Sequence, residues 1–519
     1  MQKKTIRIKL SELCFYLFFV SLFWAKGAGM YDGQKFFTLL LLCSGFCWLG
    51  KMVFSRYSIK EWVMILTVVT IAAVVFWGTR EKGIWFCVML VLGMKGISLK
   101  KVMNAALAAY CLSFIPMAIL TSSHLMYSPS KIHLRPLLGY VIRWGLGYVH
   151  PNVAHVSYLV FSMLVVYARK ERLTWKECFW LMAGNGLVFA FTVSQTGFLM
   201  TTMFLAMVVY YLLRKKFGGL EYAIAGMTLP VCAFLSLVCP VLLKGKAFDL
   251  VNRLLNTRLY LSRLFLTEEQ ITLFGKTMEI TSSNITMDNS YVFAFMTYGI
   301  VPFLLLMGGI MWTIVCFIRG KRDIELMMIT GLLGAGLTEP FLFNTSFKNL
   351  LLLFVGACIL AEKGSRQERQ FGIPVSWDKE FSLPVFSLLT GKKLKRLKKE
   401  AGIRRKAILA GLAAGAVFSI VYAMKTQIPS GYIAPRVNCQ VFEQESVYLT
   451  PEEVDSLGNN VVVMDYRGPD TEMIEFTGNL GKIEYIRGIA TTFIYTTVLV
   501  FFLVILFWYM IKYNDLHLK

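Results

Sequence analysis

Residues 291–318 read YVFAFMTYGIVPFLLLMGGIMWTIVCFI, an apolar run long enough to cross a lipid bilayer. The polar triplet Asp288-Asn289-Ser290 precedes this run, and the basic connector Arg319-Gly320-Lys321-Arg322 follows it. An apolar run between a polar loop and a basic connector is typical of a transmembrane helix whose basic end is cytoplasmic. The rest of the chain repeats this pattern.

The composition also indicates a polytopic membrane protein. Of the 519 residues, 56% are hydrophobic and 14% aromatic, and the mean hydropathy is +0.59. A scan for apolar runs predicts an all-α membrane protein with about fourteen transmembrane helices, of which the shortest two have the length of half-spans. The predicted spans are Leu10–Trp24, Phe36–Phe54, Trp62–Trp77, Gly83–Ile97, Val102–Thr121, Val153–Ala168, Cys178–Val193, Gly197–Leu213, Tyr222–Leu243, Tyr291–Ile318, Ile324–Leu337, Asn349–Ala361, Ala407–Met424 and Ile489–Ile511.

The distribution of Lys and Arg predicts the topology. If both termini are cytoplasmic, every basic connector falls on the cytoplasmic side, as the positive-inside rule requires. These connectors are residues 3–9, 56–60, 95–101, 169–172, 214–216, 319–322 and 392–406. The net charge of +23 is then explained by anionic inner-leaflet lipid, and no nucleic-acid partner is predicted. The three long loops, residues 122–152, 244–290 and 425–490, face outside.

We predict three parts along the chain. Residues 1–363 form a membrane core of about twelve spans, with the large outer loop 244–290. Residues 364–406 form a basic cytoplasmic linker. Residues 407–519 form a two-span extension whose outer lobe, residues 425–488, is expected to be a small mixed α/β unit because it contains the strand-like Val461-Val462-Val463-Met464.

Cysteine, histidine and motif usage narrow the function classes. Of the eleven cysteines, all except Cys439 lie in or beside predicted spans, which indicates packing residues and not a disulfide framework. The five histidines lack metal-ligand spacing. No P-loop, GxSxG or CxxC motif occurs, which argues against ATP-driven and hydrolase functions. No metal and no other cofactor is predicted.

Candidate site residues lie in the outer loops. The first group is Arg143 together with His150-Pro151-Asn152, and the second is Ser194 with Thr196. Histidine exchanges protons near neutral pH, and asparagine binds sugar hydroxyls. Each group has a structural alternative, since His150 and Asn152 are also suited to capping a helix and Ser194 to a tight turn.

The large outer loop supplies the remaining candidates. Arg253, Arg258 and Arg263 recur at intervals of five residues beside Asn256 on an amphipathic segment. Guanidinium groups bind phosphate through paired hydrogen bonds. The positive-inside rule does not explain arginines in an outer loop, which favours a functional role for them. Arg253 and Arg263 are also suited to anchoring the segment at lipid head groups. Three further groups complete the set: Asp288, Asn289 with Tyr291, and Glu339. Asp288-Asn289-Ser290 is also suited to capping the N-terminus of a helix. An acidic group at membrane depth is costly, so Glu339 is expected to have a functional role.

Together these motifs resemble the O-antigen polymerase and ligase superfamily, and more closely the Wzy-type polymerases of capsule and exopolysaccharide clusters. The resemblance covers the core and not the extension. Two positions depart from the family pattern: Gln195 stands where the family often has Arg, and Asp288 where many ligases have His. The matching elements are Arg143 with Gly147 and His150-Pro151-Asn152, Ser194 to Gly197, Leu255-Asn256-Thr257-Arg258, Phe274-Gly275, Asp288-Asn289-Ser290-Tyr291, Gly299-Ile300-Val301 and Thr338-Glu339.

The resemblance implies a bacterial cytoplasmic-membrane glycosyltransferase that joins oligosaccharide repeat units carried on undecaprenyl pyrophosphate. The outer loops contain no carboxylate-rich metal motif, so we expect a metal-independent reaction. Arg258, Arg143 and one of Arg253 and Arg263 would stabilise the departing pyrophosphate. Asp288 is the first candidate for the base that activates the acceptor hydroxyl, with His150 and Glu339 as alternatives. Membrane lipid and proteins of chain-length control or export are the expected partners.

Three other functions stay open. A ligase of the same superfamily would differ only in its acceptor. A transporter or flippase of lipid-linked oligosaccharide would be expected to show internal repeats and charged groups at mid-span, and neither is evident. A structural or sensor protein would use the acidic outer lobe as its working part.

Overall fold

The structure of the chain is a computed structural model. The structure describes residues 5–123, 125–126, 128–135, 139–255, 257–280, 285–360, 370–371, 377–384, 401–435, 446–449, 461–463, 471–475 and 480–517. Asn256, Cys439 and most of the basic run 392–406 therefore lie outside the described residues.

The described chain is mostly helical, as expected for an all-α membrane protein. Ten of its helices are long and apolar enough to cross a membrane. The helices are α1 (Leu10–Gly27), α2 (Lys35–Phe54), α3 (Ile59–Thr79), α4 (Gly83–Gly93), α5 (Leu99–Ser122), α6 (Pro151–Arg169), α7 (Trp175–Thr192), α8 (Gln195–Arg214), α9 (Gly219–Leu237), α10 (Cys239–Leu242), α11 (Gly245–Leu254), α12 (Arg258–Glu268), α13 (Ser290–Phe293), α14 (Ile300–Arg319), α15 (Asp323–Ala335), α16 (Leu351–Ile359), α17 (Ala401–Lys425) and α18 (Leu480–His517).

A helix occurs at each of the predicted spans, but four of them fall outside the group of ten. Helix α4 is short, and α7 has the length but not the apolarity of a span. Helices α15 and α16 have 13 and 9 residues. At 1.5 Å per residue they reach only about 20 and 14 Å, less than the roughly 30 Å of hydrocarbon. Both are largely buried against other helices, so the connection between them lies within protein.

The quoted run is not one helix, which corrects the sequence expectation. It begins with α13, continues as a π-helical segment, Ala294–Tyr298, and breaks at Gly299, where φ is +88°. A Cβ at Gly299 would lie 2.4 Å from the backbone nitrogen of Gly275, so only glycine fits. The backbone N–H groups of Ile300 and Val301 donate to the carbonyls of Thr272 and Leu273 at 3.0 and 3.1 Å. Carbonyls of the loop 244–290 thus accept hydrogen bonds from the N–H groups at the start of α14, and the span itself begins at Ile300.

Several basic connectors meet at one end of the helical bundle. Lys95 pairs with Glu61, Lys100 with Glu171, and Lys170 with Glu325. Short antiparallel strand pairs join the N-terminal segment and the residues before α3 to the linker at the same end: β1 (Thr5–Lys9) with β6 (Glu380–Pro384), and β2 (Tyr57–Ser58) with β5 (Gln370–Phe371). The opposite end carries a hairpin of β3 (Ser130–Arg135) and β4 (Gly139–Trp144).

An aromatic cluster inside the bundle holds the turn between α15 and α16. The ring of Phe347 lies 5.9 Å from the rings of Phe18 and Phe19 and 5.3 Å from Phe86. Phe347 has φ +56°, a left-handed conformation that places the following residue, Lys348, in the protein interior. Packing on the first helix therefore fixes the irregular backbone of residues 336–350.

The C-terminal extension consists of α17 and α18, which pack against each other with a small sheet between them in sequence. The sheet has the order β8-β10-β7-β9, with β7 (Gly431–Pro435), β8 (Ser446–Leu449), β9 (Val461–Val463) and β10 (Thr471–Glu475). The strand predicted at Val461 is confirmed. Within the predicted lobe, residues 425–488, the described residues form these four strands and the first turns of α18, which begins at Leu480.

Candidate functional site

The site lies where four irregular segments meet at the end of the bundle that carries the hairpin. These segments are the end of β4, the start of α6, the start of α12, and the turn that follows α15. Each brings one of the polar side chains that the sequence singled out.

A continuous chain of hydrogen bonds joins four predicted site residues. The Arg143 Nη2 donates to Asn152 Oδ1 at 2.5 Å, and Asn152 Nδ2 donates to Glu339 Oε1 at 2.8 Å. Arg258 Nη2 donates to the same Glu339 oxygen at 3.2 Å. Residues almost 200 positions apart thus form one cluster, which we call the Arg–Glu–Arg site: Arg143, Asn152, Glu339 and Arg258.

Arg258 is positioned by a break in the amphipathic segment of the outer loop. The segment forms two helices, α11 and α12, because Thr257 adopts a left-handed conformation with φ +67°. Arg258 opens α12, and its Nε donates to the Thr338 carbonyl at 2.7 Å. Its side chain is only 6% exposed. The guanidinium has five N–H groups, and the three hydrogen bonds to Thr338, Glu339 and Leu255 leave two for an anion.

Arg143 enters the site from the opposite side. It lies near the end of β4, and its Nε donates to the carbonyl of Thr192, the last residue of α7, at 3.0 Å. The side chain therefore ties the hairpin to α7 while its Nη2 reaches Asn152. Arg143 is buried, with 6% of its surface exposed. A buried, oriented guanidinium binds phosphate more strongly than one in water, since it is already desolvated and ordered.

Glu339 lies between the two arginines, and its environment shifts its proton affinity. Burial raises the pKa of its carboxyl to about 7, with the charge of Asp288 adding to the rise and the charges of Arg258 and Arg143 opposing it. Both hydrogen bonds that Glu339 accepts at its side chain fall on Oε1, and 10% of the side-chain surface stays exposed. A carboxyl with a pKa near 7 is matched to general-base work at neutral pH.

The Asp288-Asn289-Ser290 triplet divides its roles. Asn289, and not Asp288, caps α13, since its Oδ1 accepts from the N–H groups of Tyr291 and Val292 at 2.9 and 3.1 Å. Ser290 Oγ donates to the Glu339 carbonyl at 2.6 Å, and Tyr291 OH donates to the Leu333 carbonyl at 2.9 Å. Asn289 and Tyr291 are thereby occupied in holding α13 against the turn. Asp288 is half-buried, accepts from Thr286 Oγ1 at 3.1 Å, and lies within charge range of Glu339.

His150 and Ser194 occupy capping positions. His150 is the N-cap of α6, with Nδ1 accepting from the Asn152 N–H at 3.2 Å, and Pro151 fills the first helical position. Ser194 is the buried N-cap of α8, with Oγ accepting from the Gly197 N–H at 3.4 Å. Thr196 lies half-buried in the first turn of α8. The structure therefore places His150 next to the Arg–Glu–Arg site through Asn152 and gives Ser194 a local structural role.

The three outer-loop arginines separate. Arg253 is exposed at the end of α11. Arg263 donates to the carbonyls of Pro240 and Leu243 and lies 3.7 Å from the centre of the Phe248 ring, so it ties α12 to the end of the preceding helices. Of the three, only Arg258 reaches Glu339. Arg253 lies before the break at Thr257, and Arg263 lies about 140° further round α12 than Arg258.

One buried cation next to the site was not anticipated. Lys348 is 1% exposed, and its Nζ donates to the Val153 carbonyl at 3.1 Å and lies 4.4 Å from the centre of the Tyr148 ring. Burial lowers its pKa well below 10.5, Lys26 adds to the lowering and Glu339 opposes it. In the predicted topology Lys348 lies between two spans on the outer side, and this position was a usable signal because an outer lysine, like an outer arginine, has no positive-inside explanation.

The arrangement is suited to binding a charged phosphate group beside a proton acceptor. Two fixed guanidinium groups supply positive charge and directed N–H donors, and the carboxyl between them supplies the acceptor. Among the residues that the structure describes, no group of three His, Cys, Asp or Glu side chains has the arrangement of a metal site. The chain matches no protein-family model, no curated protein and no solved structure.

Proposed function

We propose that this protein is an integral-membrane glycosyltransferase that polymerises oligosaccharide repeat units carried on undecaprenyl pyrophosphate, for a capsule, exopolysaccharide or O-antigen-like glycan. The observation that carries the proposal is the Arg–Glu–Arg site, in which four residues from three separate motifs share one hydrogen-bonded chain. The substrate class is proposed from the resemblance of these motifs to the Wzy-type polymerases. The proposed site is on the outer face of the bacterial cytoplasmic membrane.

The proposed topology has about fourteen spans with both termini cytoplasmic. The meeting of the basic connectors at one end of the bundle supports it, as does the position of the hairpin and the outer loop at the other end. Helices α15 and α16 would together form a buried pair of short spans. Irregular backbone between them is tolerated in a membrane because protein surrounds it.

The two arginines would hold the pyrophosphate of the donor. In the reaction an acceptor hydroxyl attacks the anomeric carbon, the bond from that carbon to the pyrophosphate oxygen breaks, and undecaprenyl pyrophosphate leaves with the electron pair. Negative charge grows on the leaving oxygen, so N–H donors directed at it stabilise the transition state. Arg258 and Arg143 are suited to this role because both are buried and held by backbone carbonyls.

We assign Glu339, in preference to Asp288 or His150, as the base that accepts the proton of the acceptor hydroxyl. The raised pKa of Glu339 lets its carboxylate accept a proton near neutral pH, whereas an ordinary carboxylate is a weak base there. The Nδ1 of His150 already accepts a backbone N–H as a helix cap. Asn152 holds Glu339 and Arg143 in register, and Asp288 raises the pKa of Glu339 through its charge.

The purified protein, reconstituted in lipid nanodiscs, tests the proposal. Supplied with lipid-linked single repeat units, it should produce a ladder of longer glycans and release undecaprenyl pyrophosphate in equal number to the bonds formed. An Arg258→Gln variant should lose both products, while a variant of the exposed Arg253→Gln should retain them. Release of lipid pyrophosphate without a ladder, when a protein or wall acceptor is added, would identify a ligase instead. Transport of the lipid-linked unit without either product would identify a flippase.

A further inference from the structure

The C-terminal extension is joined to the core through a buried ion pair at the start of α18. Arg487 Nη1 lies 2.5 Å from Glu484 Oε1, and the two side chains are only 8% and 6% exposed. Charges inside an apolar helix are costly unless they are paired and bonded. This pair completes its bonding on the core: Trp144 Nε1 donates to Glu484 Oε2 at 3.3 Å, and both Nη atoms of Arg487 donate to the Ile142 carbonyl at 3.4 Å.

The core residues that accept this pair flank a residue of the Arg–Glu–Arg site. Ile142 and Trp144 are the two chain neighbours of Arg143 on β4. The guanidinium of Arg487 also lies 5.6 Å from the centre of the Phe191 ring, next to Thr192, whose carbonyl accepts from Arg143. Arg487 therefore contacts the same two backbone segments, β4 and the end of α7, that the Arg143 side chain bridges.

We infer that Glu484 and Arg487 are positioning residues that hold β4 in the register at which Arg143 reaches Asn152. The extension is then part of the machinery of the site and not an appendage to a self-sufficient core. The role of Arg143 in this inference rests on the proposed function, whereas the positioning of β4 does not. Glu484 lies four residues after Leu480, where α18 begins, so the ion pair belongs to the last residues of the outer lobe.

The geometry explains why a hairpin needs such support. Beyond Trp144 the chain turns through Gly145, Leu146 and Gly147, and the left-handed conformations of Leu146 and Gly147 leave β4 without a continuing strand. The only strand paired with β4 among the described residues is β3. A two-stranded hairpin is marginally stable by itself, so its register depends on side-chain contacts from its neighbours. Arg487 and Glu484 provide those contacts on both sides of Arg143.

The test uses the full-length protein with the double variant Glu484→Gln/Arg487→Gln. Removing both charges together avoids leaving one buried charge unpaired, which would destabilise the protein by itself. The matched control is Tyr495→Phe, which removes the hydrogen bond between α18 and Ser122 of α5 and leaves β4 untouched. Both proteins are compared with the wild type in nanodiscs at equal amounts of folded protein.

Hydrogen–deuterium exchange tests the positioning itself. Amides of residues 139–152 should exchange faster in the double variant and at the wild-type rate in Tyr495→Phe. Unchanged exchange in the double variant overturns the inference whatever the protein catalyses.

Polymer synthesis tests the consequence for the site. The double variant should lose activity by up to about 10²-fold, as for a small misplacement of a site group. In an Arg143→Gln background the same double change should cost little more, because the group that it positions is already gone. Full additivity of the two losses, or wild-type activity despite faster exchange, overturns the inference. A wild-type protein that makes no polymer refutes the proposed function, while hydrogen exchange still decides the positioning of β4.

Discussion

The raised pKa of Glu339 makes a quantitative prediction for the pH dependence of polymerisation. With a pKa of about 7, roughly 9% of the carboxyl is ionised at pH 6 and roughly 91% at pH 8. If the ionised form is the base, kcat/KM should rise about tenfold between these pH values. The sign follows from the direction of the shift: the carboxylate is lost as the pH falls through 7. A carboxyl at its ordinary pKa of 4.5 would already be about 97% ionised at pH 6 and would give a flat profile.

The Glu339→Gln variant separates the base from a merely structural carboxyl. Glutamine keeps an oxygen that accepts from Asn152 and Arg258 but cannot take up the proton, so activity should fall by roughly 10²–10⁴-fold and the remaining activity should no longer rise with pH. The matched control is Glu325→Gln, because Glu325 is also buried and paired with a lysine, Lys170, at 2.9 Å, but at the other end of the bundle.

The assay measures initial rates of glycan extension with lipid-linked repeat units below saturation, from pH 5.5 to 8.5, in nanodiscs that contain equal amounts of monodisperse protein. The Glu325 control should retain the rise with pH even if it is less stable. A flat wild-type profile refutes the assignment of the base. A rise with pH that persists in the Glu339→Gln protein also refutes it, since the titrating group would then be elsewhere.

Three further predictions concern the same site and its sidedness. Arg258→Lys should reduce activity by roughly 10²–10³-fold although it keeps the charge, because an ammonium lacks the planar fork that binds phosphate through two parallel hydrogen bonds. The exposed Arg253→Lys is the control, and equal activity of the two variants would contradict the role of Arg258. Asp288→Asn should leave the protein active and move the rise in activity to lower pH, because the charge of Asp288 raises the pKa of Glu339; a total loss at every pH would instead make Asp288 the base. In a background without native cysteines, a cysteine at Glu279, whose side chain is 86% exposed, should react with an impermeant maleimide added outside. A cysteine at Lys216 should not react, and reversed labelling would place the site on the wrong face of the membrane.

Sequence reasoning predicted the helical membrane architecture because hydrocarbon imposes a simple rule on every span. Backbone polar groups in lipid must form hydrogen bonds within a helix, and side chains that face lipid must be apolar. A full-length span is therefore recognisable in the sequence as an apolar run of about twenty residues. The same rule made the polar outer loops visible, and with them Arg143, Asn152, Arg258 and Glu339. It did not reveal the break at Gly299, since glycine is common in spans and only the approach of Gly275 makes it obligatory.

The pairing of the site residues was decided by tertiary structure alone. Arg143, Asn152, Arg258 and Glu339 belong to four segments, and no local pattern states that they share hydrogen bonds. The sequence also does not show that Asn289, and not Asp288, caps α13. Nor does it show that Arg258 reaches Glu339 while Arg263 bonds to Pro240.

The proton affinity of Glu339 and the role of the extension have the same origin. The sequence identifies a carboxyl just after the end of a predicted span, but burial and the charges of three distant residues set its pKa. Likewise, the sequence shows Glu484 and Arg487 only as two charged residues at the start of an apolar helix. Their contacts with Ile142 and Trp144 are visible only in the tertiary structure. Local composition determines which segments enter the membrane, because lipid acts on each residue separately. Function depends on contacts between segments, and those exist only once the helices have packed.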